Sequence, residues 1–229
     1  MTNLNDKIID ITIGIRFQRS FRIKDVLGAI TDKLVYSESS PLNEYFERQT
    51  QNNSEMTLTN EQGSYLRVNT DDIILKHVIE KDIDKELKFL AEYLKYIKKI
   101  IKKYNITGIN RIGIIYNHKI ENDQKKFINA ISGITNSQFS DVDDFSLSFS
   151  KKLSATSGVI KKGVNDYKNV IYLFRKISRT ELAIGLDYQK YFLPPLDDIE
   201  DKDFEDFISN SKQYLENTFY TNFETNEEK

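Results

Sequence analysis

From Ile9 to Gln18 the chain alternates: Ile9, Ile11, Ile13, Ile15 and Phe17 fall on one side, Asp10, Thr12, Gly14, Arg16 and Gln18 on the other. A period of two predicts a half-buried strand. Ser20 then stands before Ile23, Val26, Leu27, Ile30 and Leu34, whose spacing is helical, so Ser20 is the expected cap. Ser37–Ser54 is polar and contains Pro41; it reads as a long loop pinned by Tyr45 and Phe46. Three strand-like runs follow, Glu55–Asn60, Ser64–Asn69 and Ile73–Ile79. They are separated by turns at Glu61-Gln62-Gly63 and Thr70-Asp71-Asp72, and together predict an antiparallel meander.

Asp82 caps the longest helical pattern, which reaches Tyr104. Ile83, Leu87, Leu90, Leu94, Ile97, Ile101 and Tyr104 recur every three or four residues. Phe89, Tyr93, Tyr96 and Ile100 form a second stripe beside them. A coiled-coil seam needs one stripe; two adjacent stripes suit a helix lying on a sheet. After Gly108 come a strand, Ile109–Lys119, and a short helix, Asp123–Ser132. Three strands are then expected at Asp143–Leu153, Tyr167–Ile177 and Glu181–Tyr188. Pro194-Pro195 breaks the chain, and a helix over Asp198–Thr221 closes it.

The predicted order is strand, helix, three strands, helix, followed by the same order again from Ile109. The fold class is therefore α+β: two pseudo-repeated units, residues 1–105 and 106–229, with antiparallel sheets covered by long helices. One larger sheet whose order only looks doubled is the simpler alternative. The order resembles the duplicated TATA-binding-protein-like arrangement, in which a curved sheet forms a saddle. That likeness concerns fold and implies no DNA binding.

One stretch carries a second resemblance. Arg111-Ile112-Gly113-Ile114-Ile115-Tyr116 is similar to a strand shared by a sporadically distributed, uncharacterised family of bacterial proteins, which reads Arg-Ile-Gly-Leu-Arg-Tyr followed closely by Asn. Leu186-Asp187-Tyr188 resembles that family's late strand, and the terminal helix with Phe219 and Phe223 resembles its closing helix and aromatic tail. At position 115 the family's second Arg is replaced by Ile, and Asn117-His118 stands where its Asn follows. The resemblance implies no activity. The family's patchy distribution implies a component of mobile-element, phage-defence or toxin–antitoxin cassettes.

Composition narrows the chemistry. There is no Cys, which excludes disulfides, thiolate nucleophiles and Cys-ligated zinc. Two His residues, His77 and His118, make a Ser–His–Asp relay a poor expectation. No phosphate-cradling glycine motif or nucleophile elbow occurs. A formal net charge of -2 provides no global field for a polyanion or an anionic membrane. No apolar run is long enough to span a bilayer, and the first residues lack the signature of a signal peptide. The expected location is the cytoplasm, with no membrane partner and no cofactor.

Three candidate sites emerge. Arg111, Asn117 and His118 line the edge of a pocket beside Gly113. Lys98, Lys99, Lys102 and Lys103 crowd the end of the long helix, with Lys161 and Lys162 as a second basic point in a glycine-bearing loop. These are the candidate binding residues. Asp141, Asp143, Asp144 and Asp187 would hold Mg²⁺ if they converged, although no metal is expected. The leading expectation is a non-catalytic protein that binds a protein partner, with a homodimer allowed. The second is a nucleic-acid binder using a saddle-like sheet, and the third a metal-dependent enzyme acting on nucleotides.

Overall fold

In a computed structural model, the structure describes residues 4–52, 54–80, 82–121, 124–135, 144–153, 167–178 and 180–224. A short 3-10 turn, Leu4–Lys7, leads into β1 (Ile8–Phe17), α1 (Arg22–Val35) and four strands: β2 (Arg48–Gln51), β3 (Glu55–Thr59), β4 (Tyr65–Asn69) and β5 (Asp72–Val78). Then come α2 (Ile83–Lys103), β6 (Ile109–Glu121), α3 (Gln124–Thr135), β7 (Ser146–Leu153), β8 (Tyr167–Lys176) and β9 (Glu181–Leu196). The described chain ends with α4 (Asp201–Tyr214), a π-helical turn over Leu215–Tyr220 and α5 (Thr221–Glu224). The class is α+β.

All nine strands join one antiparallel sheet in the order β2-β3-β4-β5-β1-β6-β9-β8-β7. β1 and β6 meet near its middle. Ile11, Ile13, Ile15 and Phe17 of β1 and Ile112, Ile114, Tyr116, His118 and Ile120 of β6 are buried, and the intervening positions of β6 are partly exposed. The buried parity meets the helices. Tyr116 lies 2.7 Å from Ser211 of α4, His118 lies 3.0 Å from Tyr220, and Thr31 of α1 donates to the Met56 sulfur of β3 at 3.2 Å. Leu90, Tyr93, Leu94 and Ile97 of α2 belong to the same core. Burying a large aliphatic or aromatic side chain contributes roughly 1.5–3 kcal/mol, so this one-sided core is the main reason the strands hold their register.

Local signals act largely as the pattern implies. Asp82 accepts from the Asp84 amide at 2.8 Å and caps α2. Gly63 takes φ 87° in the β3–β4 turn, a conformation that disfavours side chains. Tyr45 and Phe46 do pin their segment: Phe46 is buried, and the Tyr45 hydroxyl donates to Ser64 Oγ at 2.8 Å and lies 2.7 Å from His77 Nδ1.

Three expectations need correction. Ser20 does not cap α1 through its side chain; its carbonyl accepts from Ile23 in a turn, and the helix begins at Arg22. The predicted loop 37–54 contains β2. Its four residues are all exposed and polar, so nothing in their pattern announces a strand held mainly by backbone pairing with β3. β9 runs past Tyr188 and through Pro194-Pro195. Ile109 pairs with Leu196 and Arg111 with Tyr191, so both prolines fall in an irregularity where no ladder bond is required of them. The 154–166 loop lies outside the described residues.

Candidate functional site

The second parity of the central strands defines the candidate site. Among the described residues no hydrogen bond, ion pair or ring contact joins this set to a helix. Pairing arranges it in rows across the sheet. One row runs Asp72, Arg16, Arg111, Tyr191, Tyr167; the next runs Ile74, Gly14, Gly113, Gln189, Asn169; a third runs Lys76, Thr12, Ile115, Asp187, Ile171. A shallow concavity opens over the first four strands of these rows, lined by Arg16, Arg111, Gly14, Gly113, Asp187 and Gln189 among others.

A hydrogen-bonded chain crosses the site. Arg111 donates to the Tyr191 hydroxyl at 3.2 Å, Tyr191 donates to Gln189 Oε1 at 2.8 Å, and Gln189 Nε2 donates to Asp187 Oδ2 at 2.6 Å. The Arg111 guanidinium also lies 5.6 Å from the Tyr191 ring centre, and Tyr191 stacks on Tyr167 at 4.7 Å. On the far side of Tyr167, Lys152 approaches the ring to 4.1 Å. Burial raises the Asp187 carboxyl to about 6, against the opposing effects of the Gln189 hydrogen bond and the Arg111 charge. A desolvated carboxyl in a concavity is a candidate functional group. Here its polar neighbour is an amide, with no second carboxylate to share a proton.

The predicted pocket edge divides between the two faces. Arg111 and Asn117 lie on the concave side, where Asn117 donates to Asp10 Oδ1 at 2.6 Å and Lys76 pairs with Asp10 at 3.3 Å. His118 points the other way: it is 1% exposed, with Nδ1 donating to the Ile184 carbonyl at 3.2 Å. Burial lowers its pKa to about 4. It is a neutral core group, distant in role from Arg111.

The lysines at the end of α2 mostly face α4. Lys98 reaches Asp201 at 2.8 Å, Lys102 reaches Asp198 at 3.4 Å, and Lys95 reaches Glu205 at 2.7 Å. Lys99 and Lys103 have no carboxylate partner within 4.0 Å among the described residues. Lys161 and Lys162 lie outside the described residues, as do Asp141 and Asp143. Asp144 is exposed, six residues before Ser150, which shares the row of Asp187 through Ile171. At a rise of about 3.3 Å per residue that is roughly 20 Å along the sheet, so these two acids do not share a metal. Among the described residues no three His, Asp or Glu side chains cluster as a metal site would require.

Arg16, Gln189, Tyr191, Tyr167 and Lys152 were not singled out by their sequence. The one available signal was Arg16 on the polar parity of β1; its meaning depends on β1 pairing with β6, which alternation alone does not specify.

No protein-family model matches the chain, and no curated protein matches it. No helix among the described residues is long and apolar enough to cross a membrane.

Proposed function

We propose that the protein is a non-catalytic binding component whose concave sheet face receives a protein partner. The observation that carries this reading is the face itself: a wide row of polar, aromatic and half-exposed apolar side chains that no described helix meets by hydrogen bond, ion pair or ring contact. An ordinary α+β protein can leave one sheet face to solvent. This face carries paired charges, Lys76–Asp10, Arg67–Asp72 and Lys119–Glu181, but it also holds Arg16 and Arg111, which have no carboxylate within 4.0 Å among the described residues, beside half-exposed Ile74 and Ile115. Such a mixture is typical of recognition surfaces. The setting implied by the family resemblance is a bacterial or phage accessory cassette.

The two halves are proposed to be structural repeats meeting at β1 and β6. Support comes from the strand order, which runs β5-β1 on one side and β9-β6 on the other, and from Gly14 facing Gly113 at the junction. Helices covering the opposite face of both halves complete that picture. Self-association through sheet edges is the weaker arrangement. β2 is short and polar and β7 carries Lys151 and Lys152 just before its last residue, features that discourage edge pairing.

A nucleic-acid partner is the second reading. It is favoured by the Tyr191–Tyr167 stack with flanking Arg111 and Lys152. It requires affinity that falls steeply with salt. Asp10, Asp72 and Asp187 on the same face count against a polyanion.

The test compares Ile115→Arg, whose new side chain can meet Asp187 without unfolding the sheet, with Lys88→Glu on the helix side. A partner that co-purifies with the wild-type chain is expected to be lost from Ile115→Arg and kept by Lys88→Glu, with both variants melting like wild type. Retention by Ile115→Arg overturns the reading.

A further inference from the structure

We propose that Arg16 and Arg111, opposed across β1 and β6 above the paired glycines Gly14 and Gly113, form a subsite for one side-chain carboxylate of the protein partner. This rests on the concave-face reading and specifies what the centre of that face recognises.

Arg16 and Arg111 are direct cross-strand neighbours on the same face. Like charges in that position are destabilising, and sheets ordinarily place opposite charges there. The nearby carboxylates are otherwise engaged. Asp72, next to Arg16 in the row, is held by Arg67 at 3.2 Å, and Asp71 is held by Arg19 at 3.0 Å. Among the described residues Arg16 has no side-chain hydrogen bond or ion pair, and Arg111 has only the Tyr191 hydroxyl as hydrogen-bond partner. Each guanidinium carries five N–H donors in a planar fork that matches a carboxylate, so most of the donor capacity at this point is unused.

The floor below them is open for different reasons on the two strands. A Cβ on Gly14 would meet the Ile73 carbonyl at 2.8 Å, so close packing of β1 on β5 demands glycine there. A Cβ on Gly113 would meet only Gln189 Cγ at 3.8 Å and the Tyr188 carbonyl at 4.0 Å, which is ordinary contact. Packing therefore tolerates a side chain at 113, and its absence keeps the depression between the arginines clear.

Charge distribution selects a single carboxylate. A phosphate backbone crossing this face would be driven against Asp10, Asp72 and Asp187 in succession, whereas one carboxylate spans only the arginine pair, flanked by Asp72 and Asp187, which Arg67 and Gln189 engage. Ile74 and Ile115, half-exposed in the adjoining rows, suit apolar neighbours of that carboxylate on the partner.

The test uses the full chain labelled at arginine, followed by NMR of the guanidinium Nε–H signals. The probes are the blocked peptides acetyl-Ile-Glu-Ile-amide and acetyl-Ile-Gln-Ile-amide and a hexathymidylate oligonucleotide. The Glu peptide is expected to shift both the Arg16 and Arg111 signals and to bind roughly tenfold tighter than the Gln peptide, because charge-assisted bidentate bonds are the stronger ones. Arg16→Gln and Arg111→Gln are each expected to weaken it by about fivefold or more. Gly113→Val, melting like wild type, is expected to weaken it as well. Equal binding of the two peptides, or unmoved arginine signals, overturns the subsite. Tighter binding of the oligonucleotide through the same arginines also overturns it, in favour of phosphate. A partner lost from Ile115→Arg but kept by the Arg16→Gln/Arg111→Gln double variant sinks the subsite and leaves the concave-face reading standing.

Discussion

The Nε2 atom of His118 lies 3.0 Å from the hydroxyl of Tyr220, joining the central strand β6 to the π-helical turn near the end of the chain. Nδ1 donates to the Ile184 carbonyl, and the Tyr220 hydroxyl also donates to Asn5 Oδ1 at 3.0 Å, tying this turn to the start of the chain. Burial holds the folded-state pKa at about 4, below the ordinary 6.5. Between those two pH values the unfolded chain binds a proton that the folded chain refuses. Stability contributed by this site is therefore full above pH 6.5 and is lost as pH falls toward 4, by up to about 3 kcal/mol. Urea unfolding from pH 4 to 7 should show this slope, and His118→Gln should lose it while costing about 1–3 kcal/mol at pH 7. An unchanged slope in the variant would contradict the assignment.

Asp187 acts with the opposite sign. Its folded-state pKa of about 6 lies above the unfolded value near 3.8, so the folded chain holds the proton longer. This site contributes stability below pH 3.8, and that contribution disappears as pH rises through 6. Asp187→Asn removes an ionised, desolvated carboxylate at neutral pH while keeping an acceptor for Gln189. After allowance for solvent screening, we expect it to raise stability at pH 7 by about 1–2 kcal/mol. It should also steepen the His118 slope, which Asp187 partly cancels in the wild type. Chemical unfolding of both single variants and the double variant checks the cancellation.

Tyr116 and Ser211 form a buried pair at 2.7 Å, and Ser211 donates in turn to the Ile208 carbonyl at 2.8 Å. The Tyr116 hydroxyl is therefore the donor within the pair. Tyr116→Phe should cost about 1 kcal/mol, whereas Ser211→Ala strands a buried hydroxyl and should cost about 2 kcal/mol. The double variant should cost less than the sum, since its stranded hydroxyl is gone. Strict additivity in thermal unfolding would contradict the pairing.

Tyr93 provides the counter-case. It is fully buried, and its hydroxyl has no hydrogen-bond partner among the described residues. Tyr93→Phe should be neutral or stabilising by up to about 1.5 kcal/mol, the reverse of Tyr116→Phe. A comparable loss in calorimetry would point to a partner for that hydroxyl.

Legibility in the sequence tracked burial. β1, β5 and β6 were readable because one parity is buried, and α2 because two apolar stripes bury together at helical spacing. β2 was unreadable because Arg48–Gln51 bury nothing and are held mainly by backbone pairing. The end of β9 was misread at Pro194-Pro195, since prolines halt a regular strand yet are tolerated in an irregularity. The inward direction of His118 followed from parity, but its association with Arg111 and Asn117 disregarded it. Arg16 acquires meaning only from its register with Arg111, a long-range relationship that no local pattern encodes. Gln189 and Tyr191 lie beyond Tyr188, where the pattern ends the strand, so their alternation with Asp187 emerges only once β9 continues to Leu196.

The most direct measurement of the central claim is lysine cross-linking with mass spectrometry on the complex that co-purifies with the full chain. Binding on the concave face predicts partner cross-links at Lys76, Lys119 and Lys152. Partner cross-links confined to Lys24, Lys88 and Lys99 on the helix side would contradict it.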